Sequence, residues 1–504
     1  MNNLSSLRSL INKMSSEEMK VLKHILQSKI EKSIKIENKS ILLVNLLLVD
    51  SNLSSTEIQK NIYNKLNYSA FNKLCSRLRE KALDAMLLES SIDHGGYSKR
   101  NKIVFELKKK LIQADILNLK GLREQADSIS KKVISISTEY EIYDLIIQSL
   151  IIREKFVRLR KKSKEIIEIN NQIKIINEKF ESFRRCQSEF NSVMNKIASA
   201  GNDLSYLIQL NKCIKLLEDE YKLFNSNSTG YFLQLLYTQL FQVKNDFDRA
   251  DQSLDVALLM LKEKSVYSDN RMGSVLLSKS ENFIKLKKFN NAINYSEAAN
   301  HYFPNNIFNI ALVHECKFYA NFFSGEFEKS KLHIEYLCSL PKENNIIVSL
   351  NKWVFLSSAL LFIENKFIEC VSLLDQVSEI DKDKEGWNVN IRILIIMCKI
   401  ELMDTDSVEL NVSNLEKFLK RISKTSNVQS RYQIILRLLI ALSKENFNFE
   451  KVFINKKKHF ENISKENSES SWEIKGPELI PFQIWFENKV NNSGQLYEKI
   501  ITSI

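Results

Sequence analysis

Ten glycines and four prolines in 504 residues are far fewer than the turns of a large β or α/β protein require. That scarcity excludes sheet-rich architectures and points to long helices joined by short loops. None of the glycines falls in a GxGxxG or GxxxxGK[ST] pattern, so the loops that cradle dinucleotides and nucleotide phosphates are missing. The seven cysteines (Cys75, Cys186, Cys213, Cys316, Cys338, Cys370 and Cys398) are odd in number and never closer than the 22 residues between Cys316 and Cys338. A disulfide framework and a CxxC zinc site are thereby excluded, and the cysteines read as small buried residues in a reducing cytoplasm. No long apolar run exists: Ile41 to Val49 is broken by Asn45 and falls short of the ~20 residues a membrane span needs. Met1 to Met14 lacks the apolar stretch of a signal peptide. The six histidines form no HExxH motif, and in His314-Glu315-Cys316 adjacent helical side chains diverge by ~100° and cannot converge on one metal. No nucleophile, base and orienting group stand together, so neither a cofactor nor an enzymatic reaction is expected.

Charge is unevenly placed. The chain carries a formal +12, yet residues 1–200 hold 36 Lys and Arg against 23 Asp and Glu, while 201–504 hold 37 against 38. A basic front of this kind suits an acidic protein, a nucleic acid or a membrane surface, and it also follows from the Lys-rich composition throughout.

Residues 1–92 read as a small helical module. Ser15 with Glu18, and Ser54 with Glu57, match the capping box in which a hydroxyl and a carboxylate satisfy the first free amides of a helix. Helices are predicted near 15–32, 39–50, 55–66 and 69–89, the last from the spacing of Leu74, Leu78, Ala82, Ala85, Met86 and Leu88. A linker follows around Gly95 and Gly96. Over 101–200 helix pairs begin, with one helix ending at Gly121 and an unusually long one predicted over 164–199 from the stripe Ile166, Ile169, Ile173, Ile176, Phe180 and Phe183.

Within 201–445 a repeat becomes explicit. Phe247, Phe289, Phe327 and Phe367 lie 42, 38 and 40 residues apart, each followed three positions later by a small side chain: Ala250, Ala292, Ser330 and Cys370. A fixed period in this range marks a solenoid, whose helix pairs bury their apolar faces only by stacking on neighbours. Ser280, Phe289, Ala292, Ala299 and Pro304 resemble the tetratricopeptide repeat in order and spacing, and Phe247, Ala250 and Ala257 do so in the unit before. Phe318 departs from it by standing where the family keeps a small residue, and the periods exceed the usual ~34 residues. The resemblance implies an all-α fold, a tetratricopeptide-like α-solenoid of stacked antiparallel helix pairs behind the N-terminal module, and a protein or peptide partner on its superhelical surface. Residues 446–504 begin polar and Lys-rich; Gly476-Pro477 to Pro481 leads into Phe482, Ile484, Trp485 and Phe486, which read either as a cap on the last helix pair or as a docking site.

Two functional readings follow. In the first, an interaction scaffold, Tyr237, Asn282, Asn321 and Lys352 are expected to line the partner surface from their place on first helices. In the second, a nucleic-acid-binding regulator, the stretch Thr56 to Leu88 resembles a helix-turn-helix carrying Lys73, Arg77, Arg79 and Lys81. Helix-turn-helix modules joined to tetratricopeptide arrays resemble the peptide-responsive regulators of bacteria. Lys73, Arg77 and Lys81 also have the i, i+4, i+8 spacing of a plain solvated face. A second basic run holding Arg158, Arg160, Lys161 and Lys162 could grip phosphates, or could simply complement a helix C-terminus. The carboxylates Asp246, Asp248, Asp251 and Asp255 are read as complementing a helix dipole, and Asp381 and Asp383 as solvated.

Overall fold

The computed structural model describes residues 3–27, 39–49, 53–89, 99–200, 204–304, 306–340, 347–377, 379–380, 383, 386–423, 430–465, 470–491 and 496. The linker around Gly95 and Gly96, Pro341 and Asp381 lie outside them. Among the described residues there are 24 α-helices and no strand. The chain divides into two compact units, Met1–Lys109 and Lys110–Ile504.

The first unit holds α1 (Asn3–Ile11), α2 (Ser16–Gln27), α3 (Lys39–Val49), α4 (Ser55–Tyr63), α5 (Tyr68–Leu88) and the start of α6 (Lys99–Leu119). Both capping boxes form: Ser15 and Ser54 receive the amides of Glu18 and Glu57, whose carboxylates accept from the serine amides at 2.8 Å. The core is built from Leu7, Leu22, Leu43, Ile58 and Leu78, all fully buried. Helix α1, unanticipated in the sequence, supplies Leu4, Leu7 and Ile11 to it. Leu88, predicted to join the buried stripe of α5, is instead exposed at the helix end.

In the second unit the chain runs through α7 (Arg123–Glu139), α8 (Tyr143–Leu159), α9 (Ser163–Ala200), α10 (Leu207–Phe224), α11 (Asn227–Val243), α12 (Phe247–Met260), α13 (Asp269–Lys285), α14 (Phe289–Asn300), α15 (Ile307–Phe323), α16 (Phe327–Ser339), α17 (Ile347–Ile363), α18 (Phe367–Leu374), α19 (Trp387–Glu401), α20 (Thr405–Ile422), α21 (Ser430–Lys444), α22 (Phe449–Asn455), α23 (Lys457–Ser464) and α24 (Phe482–Val490). Consecutive helices pack on one another in stacked pairs, and α9 is the predicted long helix.

One turn recurs. Gly121, Glu141, Asn245, Lys287, Gly325, Asn365 and Met403 each stand two residues past a helix end in the left-handed region. The following amide reaches back five residues, as from Asp246 to Phe241 O (2.9 Å), Glu326 to Asn321 O (2.8 Å) and Asp404 to Lys399 O (3.0 Å). This is the Schellman closure, which satisfies the last carbonyls of one helix while reversing the chain into the next. Only two of the seven positions are glycine, which is how so many turns coexist with so little of that residue.

At the tight point of each hairpin, Ala250, Ala292, Ser330 and Cys370 are fully buried. In three successive hairpins a polar side chain bridges backbones twelve residues apart: Ser280 Oγ to Ala292 O (2.7 Å), Ser330 Oγ to Phe318 O (3.3 Å) and Cys370 Sγ to Ser358 O (3.2 Å). Where Phe318 stands in the usual small position, Ser330 across from it is small, so the helices still approach. The phenylalanines at 247, 289, 327 and 367 are each the first residue of a second helix, half-buried at its entrance. The hairpin α19/α20 continues the series with Thr405 in the aromatic's place.

Candidate interaction groove

The first helices α13, α15, α17, α19 and α21 present one face to the irregular segment 470–481, which runs across all of them. At one end Lys475 Nζ reaches Glu281 of α13 at 2.5 Å, and Glu473 lies 3.7 Å from Lys285 of the same helix. The Trp472 ring meets Phe323 of α15 edge-on at 5.7 Å, while its indole N–H donates to Glu478 O at 2.7 Å. At the centre Leu479 and Ile480 are buried, in one apolar cluster with Phe355 and Ala359 of α17 and Ile393, Leu394 and Met397 of α19. At the far end Glu478 accepts two bonds from the Arg431 guanidinium of α21, at 2.6 and 2.7 Å, with both side chains buried. Arg431 also donates to the carbonyls of Ile463 and Ser470, so its fork is satisfied in a dry site.

The groove floor carries Glu315 of α15. Its carboxylate accepts from Lys352 Nζ at 2.7 Å and from the Trp353 indole at 2.6 Å. Burial alone pushes this carboxyl up, but Lys352, the Trp353 N–H and Lys475 together hold it below the usual range. Lys475 is driven the other way: burial lowers it, and Glu281 more than restores the charge, leaving it raised. Glu315 is therefore held ionised beneath the segment's lysine, with its charge shared between Lys352 and Lys475.

The aromatic cluster beyond the segment is buried. Phe482, Trp485 and Phe486 pack on Phe449 and Phe460, with the Phe449 and Phe486 centroids 4.7 Å apart. Trp485 Nε1 and Lys489 Nζ both reach Glu401 at the end of α19, at 2.7 and 2.5 Å.

Of the four residues expected to line the partner surface, two are enclosed. Asn282 is buried and donates to Phe247 O at 2.7 Å, joining α13 to the hairpin before it. Asn321 is buried and donates to Lys317 O at 2.8 Å. Tyr237 is half-buried, donates to Glu218 and stacks on Phe241; burial first, and that carboxylate second, push its hydroxyl up to about 12. Lys352 stands in the groove, on Glu315 and 5.2 Å from the Trp387 ring. The structure thus brings Lys352 to the segment and does not bring the other three. Asparagine and tyrosine look alike in sequence whether they face solvent or close a turn. The groove's own markers, Glu281, Glu315 and Arg431, carry no local signal because their partners lie far along the chain.

On α5, Lys73, Arg77 and Arg79 are exposed, and Lys81 pairs with Asp84 at 2.8 Å. In the second basic run, Arg158 pairs with Glu154, Arg160 with Glu124 and Lys162 with Glu165, while Lys161 occupies a left-handed turn. Two carboxylates read as helix-dipole partners also form ion pairs, since Asp251 and Asp255 hold the fully buried Lys279 at 2.6 and 2.7 Å. Asp383, expected in solvent, accepts from the amides of Gly386 and Asn388 and caps α19. Cys338 is exposed, unlike the other six cysteines. Among the described residues no group of His, Cys, Asp and Glu is placed to hold a metal ion, and no helix is long and apolar enough to cross a membrane.

No protein-family model and no curated protein matches the chain. Among solved structures it is similar to the P58(IPK) TPR domain, with 11% identity over 79% of this chain and 98% of that one and a TM-score of 0.22. It is also similar to the human IFIT1 dimer with m7Gppp-AAAA, with 13% identity over 97% and 95% of the two chains and a TM-score of 0.21. Scores this low carry no information about architecture or ligand.

Proposed function

We propose that the protein is a non-enzymatic interaction scaffold of tetratricopeptide-like repeats that binds a protein or peptide partner along the first-helix face of α13 to α21. One observation supports this most directly: that face already accommodates an irregular stretch of polypeptide, which turns at Lys475 and meets the helices through opposite charges at Lys475 and Glu478 and through the buried Leu479 and Ile480. Charges placed beside an apolar contact select a peptide and fix its register in this way. The test is affinity capture with the full chain beside two variants. Glu281→Lys reverses a charge in the groove, and Lys420→Glu reverses one on an exposed outer helix. A partner held by the wild type and by Lys420→Glu but lost with Glu281→Lys supports the reading. Capture that is indifferent to Glu281→Lys contradicts it.

A further inference from the structure

The segment in the groove is chemically specific, and its order can be read as a recognition pattern. An aromatic (Trp472) is followed three positions later by a lysine (Lys475), three positions after that by a glutamate (Glu478), and at once by two branched aliphatics (Leu479 and Ile480). Each has a counterpart on the first helices: Phe323 of α15 for the ring, Glu281 of α13 above the ionised Glu315 of α15 for the lysine, Arg431 of α21 for the glutamate, and Phe355 of α17 with Met397 of α19 for the aliphatic pair. Glu478 also accepts the Phe482 amide at the start of α24 at 2.7 Å, but that bond does not require a buried, bidentate arginine, and an ion pair of this kind gains little over hydrophobic packing of the same volume. What it does supply is selection among sequences, since the wrong residue leaves the guanidinium unpaired.

From this we infer that residues 472–480 are a tethered stand-in for the partner, which is a peptide that turns at the lysine and presents the same order: an aromatic, a lysine three residues on, a glutamate three further, then two branched aliphatics. This rests on the scaffold reading above and adds to it the chemistry of the ligand and a built-in competitor. The tether acts at an effective concentration of order mM, so a free peptide of equal intrinsic affinity binds the resting chain weakly. A partner gains the groove by displacing the segment.

The experiment is fluorescence anisotropy with a labelled synthetic peptide of residues 470–482, titrated with the full chain. Wild type is compared with the chain carrying Leu479→Asp and Ile480→Asp, which opens the groove in cis. The opened chain is expected to bind the peptide at least tenfold more tightly than wild type, and a peptide carrying the same two substitutions is expected to lose that binding. A folded, opened chain that binds the peptide no better than wild type overturns the inference. So does an opened chain that dimerises without taking up peptide, which would make the groove a site of exchange between copies. Should the double substitution unfold the chain, as circular dichroism would show, Lys475→Glu opens the groove by charge reversal against Glu281 and leaves Leu479 and Ile480 unchanged. That variant is expected to gain at least threefold, and no gain there overturns the inference equally. The two readings fail separately: a partner lost with Glu281→Lys in the capture experiment keeps the scaffold reading standing even when the peptide does not bind.

Discussion

Met403 is 87% exposed and sits at φ 57 in the turn between α19 and α20, where its side chain touches little and its Cβ crowds the following carbonyl. Replacing it with glycine removes that crowding, so Met403→Gly is expected to stabilise the protein by about 1 kcal/mol, read as a rise in urea midpoint at unchanged slope. The equivalent change at Glu141 is expected to do the reverse. Its carboxylate caps α11 by accepting from Asn227 N at 2.8 Å and Ser228 N at 3.2 Å, which glycine cannot do. His314 is a second residue with a measurable signature. Its ring stacks on Tyr336 at 3.9 Å with His333 edge-on at 5.2 Å, and burial first, then His333 and Lys317, lower it to about 4. The unfolded chain takes up this proton near 6.5 and the folded chain only near 4, so the stability is whole above about 6.5 and falls as pH drops toward 4. His314→Phe is expected to flatten that part of the acid melting curve, and an unchanged acid slope would contradict it.

At the scale of elements, helix-forming signals are legible where partners are close in sequence. The capping boxes at Ser15 and Ser54 and the aromatic-to-small spacing of Phe289 and Ala292 each lie within one turn, and each forms as read. The hairpin α19/α20 is obscured because Thr405 replaces the aromatic and Met403 replaces a recognisable turn residue, although the backbone turn is the same. The left-handed positions at Glu141, Lys287 and Met403 are invisible to composition for a related reason: a local cost of about 1 kcal/mol is overridden by the packing of the helices it joins. Gly273 is different, because here glycine is required by contact. A Cβ built on it would stand 2.4 Å from the Phe303 ring, which is buried beneath α13. Gly273→Ala is expected to cost about 1–3 kcal/mol by overpacking, and Phe303→Leu in the same chain to recover part of it, as a double-mutant cycle in denaturant would show.

For the whole molecule, the decisive contacts span sequence distances that no periodicity encodes. Lys475 and Glu281 are 194 residues apart, and Glu478 and Arg431 are 47 apart. The stretch from Gly476 to Pro481 reads in sequence as a connection to a cap, whereas Glu478, Leu479 and Ile480 within it meet the first helices α17, α19 and α21. Arg431→Ala is expected to lose about 3–5 kcal/mol, since it strands a buried carboxylate, while Arg431→Met combined with Glu478→Leu is expected to regain most of that loss. A displaceable occupant must be able to leave the groove while the helices stay folded, and native-state hydrogen exchange on the unmodified full chain tests this directly. The amides of Ile474, Lys475, Gly476 and Glu478 are expected to exchange through an opening of lower free energy than those of α15, α17 and α19. Exchange of the segment only together with those helices, at the free energy of global unfolding, would contradict it.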